Sequence, residues 1–409
     1  MSESKRDIES NAGITRRRFT VLLGSVASSM VLLPGAAFGE TMTKAGAPGA
    51  GMKTGVSYYG TRDPRHLRRD MEDIAAHHCT FVVHTFSEAD YYFYPKAMKE
   101  LVQISHDRGL EVYLDPWGVG GVFGGEALSR FVMENPDRCQ RLADGKHLPA
   151  GCLNQGPFRD FVKQWVDGAA GTGAEVIFWD EPHFFIPRAV WRGTQRPDEW
   201  ACTCDACRGL FRKRFGYALP TVMNDDVILF RDESIVSFLT EMTDHVGEKG
   251  ARNALCVLPQ ENPLIGISSW EKLAAVSSVD IFGTDPYWIV FGKPLDDYVR
   301  GAARKIVSLS ARYRKEPQLW VQAYGVPAGR EEEVGEAVRI IAEEGIKNIA
   351  AWSYRGGAPM NIASDNPDKV WEVLGEAYRK VRKGWEDKRI GAAGSTATRG
   401  VTTRGRRHT

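Results

Sequence analysis

The 409-residue sequence predicts a (β/α)8 barrel. Two observations predict it. Eight short apolar runs alternate with amphipathic stretches between about 54 and 384, and polar and aromatic residues gather where those runs end. Near-continuous apolar strands separated by helices belong to a parallel sheet buried on both faces. Eight such units in a domain of this length fit a closed barrel with insertions. An open doubly wound sheet is the alternative. It calls for a Gly-rich phosphate turn after the first strand, where this chain has Ser57-Tyr58-Tyr59-Gly60-Thr61.

The first 39 residues read as a twin-arginine export signal. Thr15-Arg16-Arg17-Arg18-Phe19 precedes a mildly apolar stretch, 21–33, and Ala37-Phe38-Gly39 supplies small residues for cleavage. That stretch is too short and too rich in Gly and Ser for an anchor, since spanning takes ~20 apolar residues. The twin-arginine machinery is therefore an expected partner, and the periplasm or the exterior the expected location. Residues 40–53 read as a linker.

The strands are expected at 54–59, 80–85, 111–115, 175–180, 253–258, 280–285, 318–323 and 348–353. Helical patterns fill 64–77, 95–108, 157–170, 203–215, 225–249, 270–277, 296–315, 330–344 and 367–383. From 385 the chain is Gly, Ala, Ser, Thr and Arg without an apolar period and reads as a disordered basic tail. The charge is nearly balanced, 53 Lys and Arg against 52 Asp and Glu, which excludes non-specific nucleic-acid binding as its business.

In such barrels the chemistry sits at the C-terminal strand ends. Those ends carry Tyr58, Tyr59 and Arg62, then His84 and Glu88, then Asp115 and Trp117. Next come Asp180, Glu181 and His183, then Gln260 and Glu261, then Asp285, Tyr287 and Trp288. Gln322 and Tyr324 follow the seventh run, and Trp352, Tyr354 and Arg355 the eighth. Carboxylates and aromatic rings at one mouth suit glycosidic-bond hydrolysis. One acid protonates the leaving oxygen, a second carboxylate acts as nucleophile or base, and rings stack on sugars. Isolated acids such as Glu88 and Glu261 are as readily helix caps or loop ion pairs. Asp180-Glu181 is different: two adjacent acids end a bulky apolar run, Val176 to Trp179, just before Pro182.

Seven cysteines are present. Cys202, Cys204 and Cys207 stand at C-x-C-x-x-C spacing, which suits a tetrahedral metal better than paired disulfides. Cys152 and Cys139 are the candidates for a fourth thiolate. A disulfide from either into the cluster is the alternative, because exported chains meet an oxidising space. An all-thiolate zinc site leaves no open position and would be structural. A zinc-dependent hydrolase would need His or carboxylate ligands, and no H-E-x-x-H motif is present. Cys79 and Cys256 read as core residues.

Three segments resemble the (β/α)8 glycoside hydrolases that carry their acid/base Glu after the fourth strand, and most of all glycoside hydrolase family 42, the zinc-containing β-galactosidases. They are Gly151-Cys152-Leu153-Asn154-Gln155-Gly156-Pro157-Phe158-Arg159, then Trp179-Asp180-Glu181-Pro182, then Cys202-Thr203-Cys204-Asp205-Ala206-Cys207 running into Phe211 and Arg214-Phe215-Gly216. Asp280 to Tyr287 is similar to that family's sixth strand. The resemblance covers about 150–290. It implies Glu181 as the acid/base residue and Cys152 as the fourth ligand of a structural zinc. The chain departs from the pattern at three places, one of them the basic pair near the zinc segment, which is only Lys146-His147 here. Gln322 stands where the family has its nucleophile Glu, and Asp180 where it has Asn.

The resulting expectation is an exported glycoside hydrolase-like enzyme acting on a carbohydrate. Glu181 is the general acid, its pKa raised by burial beside Trp179 and by the Asp180 charge. Asp285 is the partner carboxylate, with Asp115 next. Tyr59, Arg62, His84, Trp117, His183, Tyr287, Trp288, Gln322, Trp352 and Arg355 are expected around the sugar. A carbohydrate-binding barrel that has lost its nucleophile is the non-enzymatic alternative.

Overall fold

The computed structural model describes residues 51–398 except 60–62, 188–189, 191–192, 195 and 266. The expected export signal, most of the linker, Arg62 and the end of the tail lie outside the described residues.

Strands form where the apolar runs predict them. They are β1 (Lys53–Tyr58), β2 (Phe81–Thr85), β3 (Glu111–Asp115), β6 (Val176–Asp180), β7 (Arg252–Val257), β8 (Ile281–Thr284), β9 (Glu316–Gln322) and β10 (Asn348–Trp352). These eight close into a parallel barrel in the order β1-β10-β9-β8-β7-β6-β3-β2. A small antiparallel hairpin, β4 (Cys139–Arg141) and β5 (His147–Gly151), is inserted ahead of the fourth barrel strand.

Side chains alternate along each strand, so one parity fills the barrel and the other meets the helices. Phe81, Val83, Tyr113, Val176, Phe178, Cys256, Ile281 and Trp320 form the inner core. Val82, Leu114, Ile177, Trp179, Leu255 and Phe282 belong to the larger core shared with the helices. Two fully buried tryptophans of that outer core are polar-satisfied as buried Trp usually is. Trp165 Nε1 donates to the Phe86 carbonyl at 2.9 Å, and Trp179 Nε1 to Asn253 Oδ1 at 2.9 Å.

Proline starts several helices, because it lacks only a donor that the first turn leaves unused. Pro64, with Asp63 as cap, opens Pro64–Ala76; Pro95 opens Pro95–His106; Pro157 lies in the first turn of Gly156–Ala170. Among the described residues, the short helices Glu88–Phe93 and Arg130–Glu134 and the hairpin were not expected from the sequence. The last helix runs Pro367–Thr398, beyond the expected end at 383–384. Lys, Arg, Glu and Ala are good helix formers, and no proline interrupts them, so helix persists where composition read as tail.

Candidate active site

The mouth of the barrel holds a cavity of about 370 Å3. Asp115 ends β3, Asp180 ends β6, Glu181 follows it, and Asp285 follows β8; all four line the cavity, together with Glu126 at its rim. Four candidate acids from three strands thus meet at one place. Glu126 was missed, because it lies in a glycine-rich loop with no strand end to mark it. Two glycines there are dictated by close approach. A Cβ on Gly124 would stand 2.1 Å from Asp180 Oδ2, and one on Gly125 2.4 Å from the Trp117 ring. Gly124 N–H also donates to the Asp180 carbonyl at 3.0 Å.

Asp115 and Asp285 are buried, Asp180 and Glu181 half-buried, and Glu126 exposed. Burial raises the pKa of Asp115, and the charges of Asp180 and Glu181 raise it further. Asp180 is raised by burial and by Glu181. Glu181 is raised by burial, with a hydrogen bond to Asp285 acting in the opposite direction. Asp285 is raised by burial and by the same neighbour. Trp179, expected beside Glu181, faces the helix layer instead, because strand alternation puts Phe178 and Asp180 inward. The Glu181 backbone adopts φ 42°, a left-handed conformation uncommon outside glycine. Its N–H donates to the Cys256 carbonyl at 2.9 Å, and its own carbonyl accepts from His183 Nδ1 at 2.5 Å. Only the Nδ1–H tautomer satisfies that bond, if the imidazole is neutral.

Aromatic rings make one wall. Tyr59 stacks on Trp117 at 6.3 Å and 3°, and Trp117 tilts against Trp352 at 6.2 Å. Tyr324 meets Trp352 edge-on at 4.3 Å, and Tyr287 meets Tyr324 at 5.4 Å. Trp117, Tyr287, Tyr324 and Trp352 line the cavity, and Tyr59 adjoins it.

Other expected sugar contacts lie elsewhere. His84 has the outward parity of β2 and bonds Ser105 Oγ at 2.9 Å behind the barrel; burial pushes its pKa down to about 3. Trp288 is fully buried outside the cavity and donates to Glu333 at 2.6 Å. Arg355 pairs with Asp368 and lines a separate surface cleft with Trp371. Gln322 takes no part in the cavity lining. Its Oε1 accepts from the Ile289 and Val290 N–H groups at 3.0 and 3.3 Å, and its Nε2 donates to the Tyr324 carbonyl at 3.0 Å. It thereby holds the loop that carries Tyr287 and Val290. His183 stands behind Glu181 rather than at the cavity surface. Glu88 is structural: buried, it accepts from Gly120 N–H, Ser129 Oγ and Phe131 N–H.

Beside the site, the sulfur atoms of Cys152, Cys202, Cys204 and Cys207 lie within 4.8 Å of one another. Cys152 Sγ is 3.5 Å from both Cys204 Sγ and Cys207 Sγ. A disulfide needs about 2.05 Å, whereas four thiolates about 2.3 Å from a zinc stand roughly 3.8 Å apart. The donor set therefore fits a tetrahedral thiolate metal. Cys139 is engaged elsewhere, with its thiol on the Val132 and Asn135 carbonyls. Asn154 Nδ2 reaches Cys207 Sγ at 3.4 Å, as outer ligands of thiolate sites do. Thr203 ties the cysteine loop to the hairpin, through Arg141 and Leu142, and Gln140 of the hairpin accepts from Phe185 N–H.

No protein-family model matches the chain, and no curated protein matches its sequence. Solved structures do. A β-galactosidase from Bacillus circulans sp. alkalophilus superposes with TM-score 0.61 at 10% identity, over 82% of this chain and 57% of that one. The chain thus spans little more than half of that enzyme. An endo-β-1,4-mannanase from Thermotoga petrophila gives 0.52 at 10% identity, over 82% and 78%. One from Rhizomucor miehei gives 0.53 at 10%, over 82% and 97%. The chain has the (β/α)8 fold of glycoside hydrolase barrels; at these identities the likeness is one of fold.

Proposed function

We propose that the protein is an exported glycoside hydrolase-like enzyme with Glu181 as its general acid. The observation that carries this reading is the cavity itself: Asp115, Asp180, Glu181 and Asp285 converge at the C-terminal barrel mouth beneath a wall of rings. Burial favours the protonated form of Glu181, as a general acid at neutral pH requires. It gives its proton to the leaving oxygen as the glycosidic C–O bond breaks. Water attacks the anomeric carbon, and a second carboxylate takes the proton that the water loses.

Asp285 was the first expectation for that second carboxylate. It lies so close to Glu181 that each group acts on the other's proton, the relation of a tuning neighbour. Asp285 accordingly tunes the Glu181 proton, and Asp115 is the proposed base, a role that its buried, acid-crowded setting confines to its ionised form at higher pH, with inversion the expected outcome. Gln322 supports the absence of a seventh-strand nucleophile, since both ends of its amide are bound to backbone. The same observation favours a second reading, a barrel that binds carbohydrate without cleaving it. The proposed zinc, held by Cys152, Cys202, Cys204 and Cys207, braces the loop after Glu181 and takes no part in bond breaking.

The deciding experiment is hydrolysis of aryl glycosides and polysaccharides by wild type and Glu181→Gln. Proton NMR records the first anomer released. Turnover lost in the variant supports the enzyme reading, and turnover that survives removes Glu181 from the chemistry. Glycan binding without turnover in either protein supports the binding barrel.

A further inference from the structure

We propose that the sugar bound in this cavity carries a free, protonated amino group, which makes the substrate class an amino sugar of the unacetylated glucosamine type. The inference rests on the carbohydrate reading above and deepens it.

Five carboxyl groups line the cavity: Asp115, Glu126, Asp180, Glu181 and Asp285. No Lys, Arg or His stands among the described residues that line it. The charges acting on Asp115, Asp180 and Asp285 are those of other acids. Such a site repels anions, and its clustered acids disfavour one another's ionisation until an occupant brings positive charge.

A second, independent observation points the same way. Asp115 and Asp285 are each 95% buried, at 5% exposure, and among the described residues no N–H or hydroxyl donates to the Oδ1 atom of either. Buried carboxylate oxygens left without donors are costly, and native structures rarely keep them without a ligand or water. An ammonium offers three donors and a charge. A neutral hydroxyl offers one donor and leaves the mutual repulsion of the acids in place.

The walls suit the same group. Trp117, Trp352, Tyr324 and Tyr287 present ring faces and edges around the acids, and ring faces attract cations that are stripped of water. A bare metal ion fits less well. Among the described residues only the four cysteines bring three or more such ligand atoms close enough to hold one. The carboxylates ring a space of about 370 Å3, within the range of small-molecule pockets.

Three oligosaccharide series test this. Chitosan, chitin and cello-oligosaccharides share a β-1,4-linked backbone and differ at C2 by ammonium, acetamide and hydroxyl. Calorimetry with glucosamine, N-acetylglucosamine and glucose accompanies the hydrolysis assays. Glucosamine and its oligomers are expected to bind at least about tenfold more tightly than the neutral sugars, the scale of a hydrogen bond to a charged group. The preference should weaken as salt rises. Glu126→Gln, at the exposed rim where folding is not at stake, should reduce it several-fold. Equal or tighter binding of the neutral sugars overturns the inference, as does a preference that Glu126→Gln and salt leave untouched. Turnover of neutral oligosaccharides with no ammonium preference overturns the inference and leaves the glycosidase reading standing. Salt-sensitive glucosamine binding without turnover of any series sustains the inference and removes the glycosidase reading.

Discussion

Glu181 and Asp285, two strands apart around the barrel, line one cavity and act directly on each other's protons. Two buried carboxyls so placed disfavour ionising together, so the pair titrates as a unit with its second step raised. Asp180 and Asp115 add their charges to the same cavity. This arrangement makes a stable acid, and it sets the pH behaviour of the site.

Activity should therefore fall as pH rises through the raised pKa of the Glu181–Asp285 pair, because the general acid is lost there. Asp285→Asn leaves a hydrogen-bond partner but removes the shared carboxyl proton and one negative charge. The basic limb of kcat/KM is expected to shift in this variant, with the fold retained by circular dichroism. An unshifted limb would show that Asp285 does not tune Glu181.

Glu181→Gln removes the transferable proton but keeps size and polarity. A loss of about 10²–10⁴-fold in kcat is the usual scale for a general acid. Thermal stability should hold or rise, because burial disfavours the native carboxylate. Activity within tenfold of wild type would refute the assignment.

Stability should carry the same signature. Asp115, Asp180 and Asp285 have folded pKa values above the ordinary carboxylate range, about 3.9 for Asp in an unfolded chain. The folded state thus binds more protons than the unfolded state in that window. Their contribution is fully present below the unfolded value and is lost as pH rises through the folded ones. Asp115→Asn removes one of these groups. Its urea midpoint should gain on wild type steadily as pH rises above about 4. Parallel midpoint curves for the two proteins would contradict this.

The eight strands were legible because a parallel barrel buries both faces of each strand, so every run is apolar enough to see. Asp180 and Glu181 were legible because polar groups at the end of such a run have no packing reason to be there. Side-chain parity was harder. His84, Trp288 and Gln322 all lie near strand ends, yet His84 points outward to Ser105, Trp288 donates to Glu333, and Gln322 clamps backbone. A strand end shows which residues are near the mouth; a one-residue phase turns His84 away from it, whereas Trp288 lies in a loop and Gln322, of inward parity, is taken up by backbone partners. Glu126 illustrates the converse. It reaches the cavity from a loop whose path is fixed by Gly124 and Gly125 against Asp180 and Trp117, contacts between residues far apart in the chain.

Gln322 should act on substrate binding through the loop it holds. Gln322→Ala leaves the Ile289 and Val290 N–H groups without their buried acceptor, a loss of about 1–3 kcal/mol in stability. The loop carries Tyr287, so KM should rise more than kcat falls. His84→Asn provides the contrast. It disturbs a buried bond behind the barrel, and kcat/KM should stay within about twofold while thermal stability drops. A kinetic defect in His84→Asn that exceeds that of Gln322→Ala would reverse the placement of both residues.

The cysteine cluster yields the last expectation. Four buried thiols whose sulfur atoms lie within 4.8 Å of one another would repel strongly as thiolates without a cation among them. One zinc per chain is expected by elemental analysis, with four sulfur neighbours at about 2.3 Å by X-ray absorption. Cys152→Ser should lose most of the metal, and Cys139→Ser none, because the Cys139 thiol is already bound to the Val132 and Asn135 carbonyls. The hairpin and the cysteine loop are joined through Thr203, and the hairpin reaches the segment after Glu181 through Gln140 and Phe185. Metal loss should therefore lower the melting temperature first and the activity with it, while zinc restores both. A chain that keeps full stability and activity after complete metal removal, or that shows a disulfide between Cys152 and the cluster on mass spectrometry, would rule out the structural zinc.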